Sequence, residues 1–143
     1  MNTINAVQMH STGDSDLAAI RKRHLRILII DNENRFRKAM SFNLSQKYDA
    51  KVMDVDSGQD AIGLLKSGSQ FDLIFIDLTM PGMNGAETYA ELRKIDSGCP
   101  VVLMSSYPDS EEWMAAKELP VRVVQKPFFG QMLTEMLFRS ASR

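Results

Sequence analysis

The chain reads as an α/β fold, a doubly wound parallel sheet with helices on both faces. Short apolar runs recur from Leu25 onward, each followed by a stretch with helical spacing, which is the pattern of βαβ units. The first, third and fourth runs are almost continuously hydrophobic, as strands covered on both faces are. The third run, Leu73-Ile74-Phe75-Ile76, ends in Asp77 and a loop rich in turn residues, so a carboxylate stands at the carboxyl end of a buried strand.

Residues 1–24 are polar and mixed, with one short apolar turn at Leu17-Ala18-Ala19-Ile20, and are expected to form a flexible N-terminal extension. The folded domain is expected over 25–143. The first strand is expected at Leu25–Ile30, and Phe36, Met40 and Leu44 give the helix after it a buried stripe. The second strand, Ala50–Val55, carries Asp54, with Asp56 just beyond it, and reads as an exposed, edge-like strand. The remaining strands are expected at 71–76, 100–104 and 121–125. Ser57 with Asp60, Asn84 with Glu87 and Asp109 with Glu112 each place a capping side chain three residues before an acid, which marks three helix starts. A last helix, 129–139, sets Met132, Leu133, Met136 and Leu137 at packing intervals.

Composition excludes several classes. A net charge of -1 makes no electrostatic case for nucleic acid. No window approaches the length of a membrane span, and the first residues lack the apolar core of a signal peptide. Cys99 is the sole cysteine, so no intramolecular disulfide forms and no zinc-like Cys/His spacing exists; a reducing cytoplasm fits best. The basic cluster Arg21-Lys22-Arg23-His24 reads as a solvated run, and His10 and His24 as incidental.

The chemistry gathers at strand ends. The first strand ends in Asp31-Asn32-Glu33, and in a sheet wound in both directions the first and third strands are neighbours at the reversal point, so Asp31 and Asp77 should converge. Two carboxylates in one crevice favour a hard divalent cation, Mg²⁺ rather than zinc, with Asn32 able to add a neutral oxygen. A flavin-phosphate site is excluded, since such a loop would offer Gly, Ser or Thr amides where this turn offers acids. Ser105 and Lys126 end the fourth and fifth runs and suit a phosphoryl group held on a carboxylate. Asp77 then reads as a nucleophile toward phosphorus, with Mg²⁺ and Lys126 offsetting charge on the equatorial oxygens. Taken singly, Asp31 could be a helix cap, Lys126 a surface lysine and Ser105 a buried hydroxyl bonded to backbone.

At this point the chain resembles the receiver domain of two-component response regulators, through Ile30-Asp31-Asn32-Glu33, the segment Asp77-Leu78-Thr79-Met80-Pro81-Gly82-Met83-Asn84-Gly85, Val102-Leu103-Met104-Ser105 and Lys126-Pro127-Phe128. The resemblance implies a flavodoxin-like, five-stranded parallel sheet in the order 2-1-3-4-5 with five helices. It implies that Asp77 accepts a phosphoryl group from a sensor histidine kinase or phosphotransfer protein. Asp31 and Asn32 would occupy the acidic-pair positions, Thr79 would lend a backbone carbonyl to Mg²⁺, Ser105 would be the switch hydroxyl and Lys126 the phosphate partner. The Lys126–Pro127 bond would be cis, aiming the lysine inward.

Departures from the family pattern set further expectations. Asn32 replaces an acid that normally binds the metal, which should weaken Mg²⁺ binding; Glu33 is expected to point outward, without compensating. Val123 stands at the aromatic switch position and Ser106 at a usually small one, so the ordinary coupling of hydroxyl to ring motion is altered. Tyr107, two residues beyond Ser105 as Thr79 is beyond Asp77, is expected to shield the phosphoryl group and slow its loss. The resulting expectation is a phosphoacceptor without separate substrate turnover, either stand-alone or cut from a longer regulator. It would signal to a downstream protein or as a homodimer through the last two helices and fifth strand, where Trp113, Phe129 and Phe138 fall. A receiver-like interaction module needing no phosphorylation is the alternative. A metal-dependent phosphatase is disfavoured because Thr79 occupies the place of its second acid.

Overall fold

The computed structural model describes residues 24–128 and 130–141. The flexible extension expected over 1–24 therefore lies, except for His24, outside the described residues, as does Phe129. The elements follow in order as β1 (Leu25–Ile30), α1 (Asn34–Lys47), β2 (Ala50–Val55), α2 (Gly58–Lys66), β3 (Leu73–Asp77), α3 (Gly85–Ile95), β4 (Val101–Ser105), α4 (Glu111–Ala116), β5 (Arg122–Gln125) and α5 (Gln131–Ala141). All four strand pairings are parallel and the sheet order is β2-β1-β3-β4-β5, the doubly wound arrangement expected.

Strand alternation divides the core into two layers. Ile27 and Ile29, Leu73 and Phe75, and Val102 and Met104 pack with Met40 and Leu44 of α1 and Leu133, Met136 and Leu137 of α5. Leu28 and Ile30, Ile74 and Ile76, and Val101 and Leu103 pack on the opposite face with Ala61, Ile62 and Leu65 of α2, Leu92 of α3 and Ala116 of α4. The edge strand β2 is only partly buried along most of its length, as its charged residues indicate.

Local chemistry explains the element boundaries. Ser57 caps α2 by accepting from the Asp60 amide, and Asn84 and Glu87 form a reciprocal capping box on α3. The third cap differs from expectation. Ser110, not Asp109, accepts from the Trp113 amide at 3.1 Å. Its hydroxyl also donates to the Tyr107 carbonyl at 2.8 Å, closing a turn that starts α4 one residue later. The last helix begins at Gln131 rather than at residue 129, because Gly130 takes the left-handed φ of 69° that no right-handed helix includes. Met132, expected in the core, is 44% exposed: it lies one position off the stripe formed by Leu133, Met136 and Leu137.

The loop after β3 is built for close approach. Gly82 turns the chain at a φ of 72°. At Gly85 a side-chain carbon would come within 2.6 Å of the Leu78 Cα, so only glycine lets the start of α3 sit against the end of β3. The Gly85 amide donates to the Leu78 carbonyl there at 3.0 Å. This contact holds the strand end that carries Asp77.

Candidate functional site

Polar residues buried at the carboxyl edge of the sheet are few: Asp31, Asp77, Ser105 and Lys126. Continuing the alternation, Asp31 follows Ile27 and Ile29, Asp77 follows Leu73 and Phe75, and Lys126 follows Val124, so all three emerge on the α1–α5 face. They meet. The Lys126 Nζ lies 2.6 Å from Asp31 Oδ2 and 3.4 Å from Asp77 Oδ1. Among the described residues Asp31 Oδ2 makes no hydrogen bond besides this ion pair, while its Oδ1 accepts from the Glu33 amide at 2.8 Å. The Lys126–Pro127 peptide bond is cis, as the resemblance implied.

The charges set one another. Burial pushes the Asp77 carboxyl up to about 6, the neighbouring charge of Asp31 adds to the rise, and Lys126 and a backbone hydrogen bond with Thr79 oppose it. Burial pulls Lys126 down, but its hydrogen bond with Asp31 and the charges of Asp77, Asp31 and Glu33 outweigh that effect and leave its pKa above the ordinary lysine value. One cation is thus shared among several acids in a largely water-excluded crevice.

Glu33 departs from expectation. It is the N-cap of α1, but its side chain makes no capping hydrogen bond. Freed from that duty, Glu33 Oε1 sits 3.6 Å from Lys126 Nζ at the mouth of the crevice instead of turning away from it. Asn32 and Thr79 are both exposed. Among the described residues no three acids converge closely enough to hold a metal by themselves.

Ser105 is fully buried at the end of β4, on the opposite alternation to Lys126. Its Oγ accepts from the Tyr107 amide at 2.9 Å, and its carbonyl accepts from the Lys126 amide at 2.8 Å, which ties the two strand ends together. Ser106 is exposed, and Tyr107 is 62% exposed, so its ring stands largely in solvent rather than folded over the crevice. Val123 is partly buried on the α2–α4 side.

One contact was not foreseen. The Lys126 ammonium lies 4.4 Å from the centroid of the Phe36 ring. Phe36 in turn meets Phe128 at 6.2 Å between centroids, and Phe128 stacks on Phe75 at 5.6 Å. The apolar stripe of α1 signals a buried position at Phe36, but nothing in the spacing signals a partner for a lysine ninety residues further along the chain.

A family model described as response regulator receiver domain matches residues 27–138. The chain belongs to that family. This receiver domain is 27% identical over 124 residues to chemotaxis protein CheY-3 of Vibrio cholerae, covering 85% of this chain and 95% of that protein. It is 39% identical over 70 residues to probable histidine kinase 6 of Oryza sativa, covering 49% of this chain but only 7% of that protein. Among solved structures it resembles the receiver domain of a Pseudomonas aeruginosa sensor histidine kinase that has a magnesium ion coordinated in its active-site cleft. The TM-score is 0.74 at 18% identity, covering 85% of this chain and 100% of the other. The receiver domain is a component of two-component signalling, in which such domains work with histidine kinases and downstream partners. Among the described residues no helix is long and apolar enough to cross a membrane.

Proposed function

We propose that the chain accepts a phosphoryl group on Asp77 from a sensor histidine kinase or phosphotransfer protein and signals by phosphorylation-dependent protein binding in the cytoplasm, without turning over a separate substrate. The observation that carries this reading is the meeting of Asp31, Asp77 and Lys126 at one rim of the sheet. An Asp77 carboxylate oxygen attacks phosphorus, and the bond from phosphorus to the donor's nitrogen or oxygen breaks. Lys126, already between the two acids, turns its ammonium to the phosphoryl oxygens, and the buried Ser105 hydroxyl offers a donor from the neighbouring strand.

The donor set suits Mg²⁺: every candidate group is an oxygen, and the carboxylates outnumber the one ammonium they share. Asp31, Asp77 and the Thr79 carbonyl would hold the ion, with Asn32 as a neutral contributor. When bound, it supplies charge neutralisation to the oxygens of the transferring group. Output passes through the surface of α4, β5 and α5, to a downstream protein or to a second copy of this chain. With Val123 at the switch position, no aromatic ring rotates there, and the shift is carried by Ser105 and the backbone after it.

A second reading, an interaction module that acts without phosphorylation, is favoured by Lys126 bridging both acids and by the neutral, exposed Asn32. Intact mass after treatment with acetyl phosphate and Mg²⁺ decides between them. The phosphoacceptor reading expects one added phosphoryl group on the wild type and none on Asp77→Ala. No gain on the wild type would leave the second reading standing.

A further inference from the structure

Among the described residues Lys126 has four partners within reach, and three of them are carboxylates. Asp31 lies at 2.6 Å, Asp77 at 3.4 Å and Glu33 at 3.6 Å. The fourth is the face of Phe36, its centroid 4.4 Å from the ammonium. These partners respond differently to the chemistry proposed above, on which this inference rests. A divalent cation drawn to Asp31 and Asp77 takes up the negative charge that holds the ammonium and repels the ammonium itself. The attraction of an aromatic face for a cation survives that change, because the ring's quadrupole is not titrated, coordinated or neutralised. The ring is also held from behind by other rings. Phe36 rests on Phe128, which stacks on Phe75 of the sheet, and Phe128 and Phe75 are both buried in the core.

We infer that Phe36 is a positioning residue for Lys126: its ring keeps the ammonium inside the crevice once metal and phosphoryl group compete for the acids that otherwise hold it. A lysine released from its acids would gain rotamer freedom and solvation by swinging to the mouth of the crevice. An aliphatic side chain in place of Phe36 would fill much of the space but offer no charge-directed hold. The role is therefore electrostatic and separable from packing.

The test replaces Phe36 with mono-, di- and trifluorinated phenylalanine, which nearly preserves ring shape while progressively draining negative charge from its face. Two quantities are read in the chain of residues 1–143 with Mg²⁺: the ring-current shift of the Lys126 ε-methylene protons, and the rate at which acetyl phosphate labels Asp77. Both should decline stepwise through the series, the rate by about tenfold overall. Phe36→Leu should match the trifluorinated protein in rate. A flat series in protein that still labels at Asp77 overturns the role of Phe36. Absence of labelling on the unsubstituted protein overturns the phosphoacceptor reading and the inference with it, and the label tells the two failures apart.

Discussion

Replacing Asp77 by Asn should stabilise the protein at neutral pH, although it removes the proposed phosphoacceptor. The reason is the cost of ionising Asp77 beside Asp31 in a buried crevice. A carboxyl held at about 6 instead of 3.8 carries a penalty of about 3 kcal/mol when charged, at ~1.4 kcal/mol per pH unit. The native state binds the extra proton between those two values and the unfolded state does not, so the penalty is absent below 3.8 and grows as pH rises to about 6. Above that it is constant. Asn removes it, and the lost attraction to Lys126, which keeps Asp31 and Glu33, is already contained in that figure. The net gain at pH 7.5 is about 3 kcal/mol, or roughly 9 °C in Tm for a domain of this size. Thermal and urea unfolding of both proteins in metal-free buffer from pH 4 to 8 measures it. The wild type should lose stability relative to Asp77→Asn across the lower half of that range and run parallel to it above. Parallel curves throughout, or a less stable Asp77→Asn at pH 7.5, would refute the electrostatic account.

Other consequences are as direct. Lys126→Met leaves Asp31 and Asp77 buried with no cation between them, and should cost about 3 kcal/mol in urea unfolding at pH 7.5, recovering as pH falls and one acid takes a proton. Gly85→Ala forces a carbon toward Leu78 and the end of β3; a loss of about 2 kcal/mol and slower labelling of Asp77 are expected by denaturation and by mass. Asn32→Asp restores an acid beside Asp31 and should tighten Mg²⁺ about tenfold by calorimetry, whereas Glu33→Gln should weaken it by a smaller factor. Tyr107→Ala should leave the phosphoryl lifetime within about twofold, since the ring already stands in solvent; a large change measured by loss of label would show that it closes over the site after phosphorylation.

Much of the fold was legible because its signals are local. The apolar runs at β1 and β2 have the observed limits, and the edge character of β2 follows from its charges. Asn84 and Glu87 announce α3 through their own reciprocal bonds. The convergence of Asp31, Asp77 and Lys126 was readable too, because strand order and period-two alternation place them on one face without knowledge of any side-chain contact. What escaped was decided by neighbours or by one residue of register. Ser110 displaced Asp109 as a cap because the turn from Tyr107 delivers its hydroxyl to both ends of the turn. Gly130 moved the start of α5, and Met132 fell off the buried stripe by a single position. Glu33 turned toward Lys126 because no capping bond held its side chain elsewhere. Phe36 beneath the ammonium depends on where α1 crosses the sheet, a tertiary fact with no local signature.

The opposite alternation of Ser105 and Lys126 has a geometric outcome. Lys126 belongs to the side shared with α1 and α5, Ser105 to the side shared with α2, α3 and α4. A group large enough to touch both must straddle the rim, engaging the upper and lower halves of the molecule at once. Under the proposed function, a phosphoryl group held there would reach both helical layers from a single point, with no relay through the hydrophobic interior.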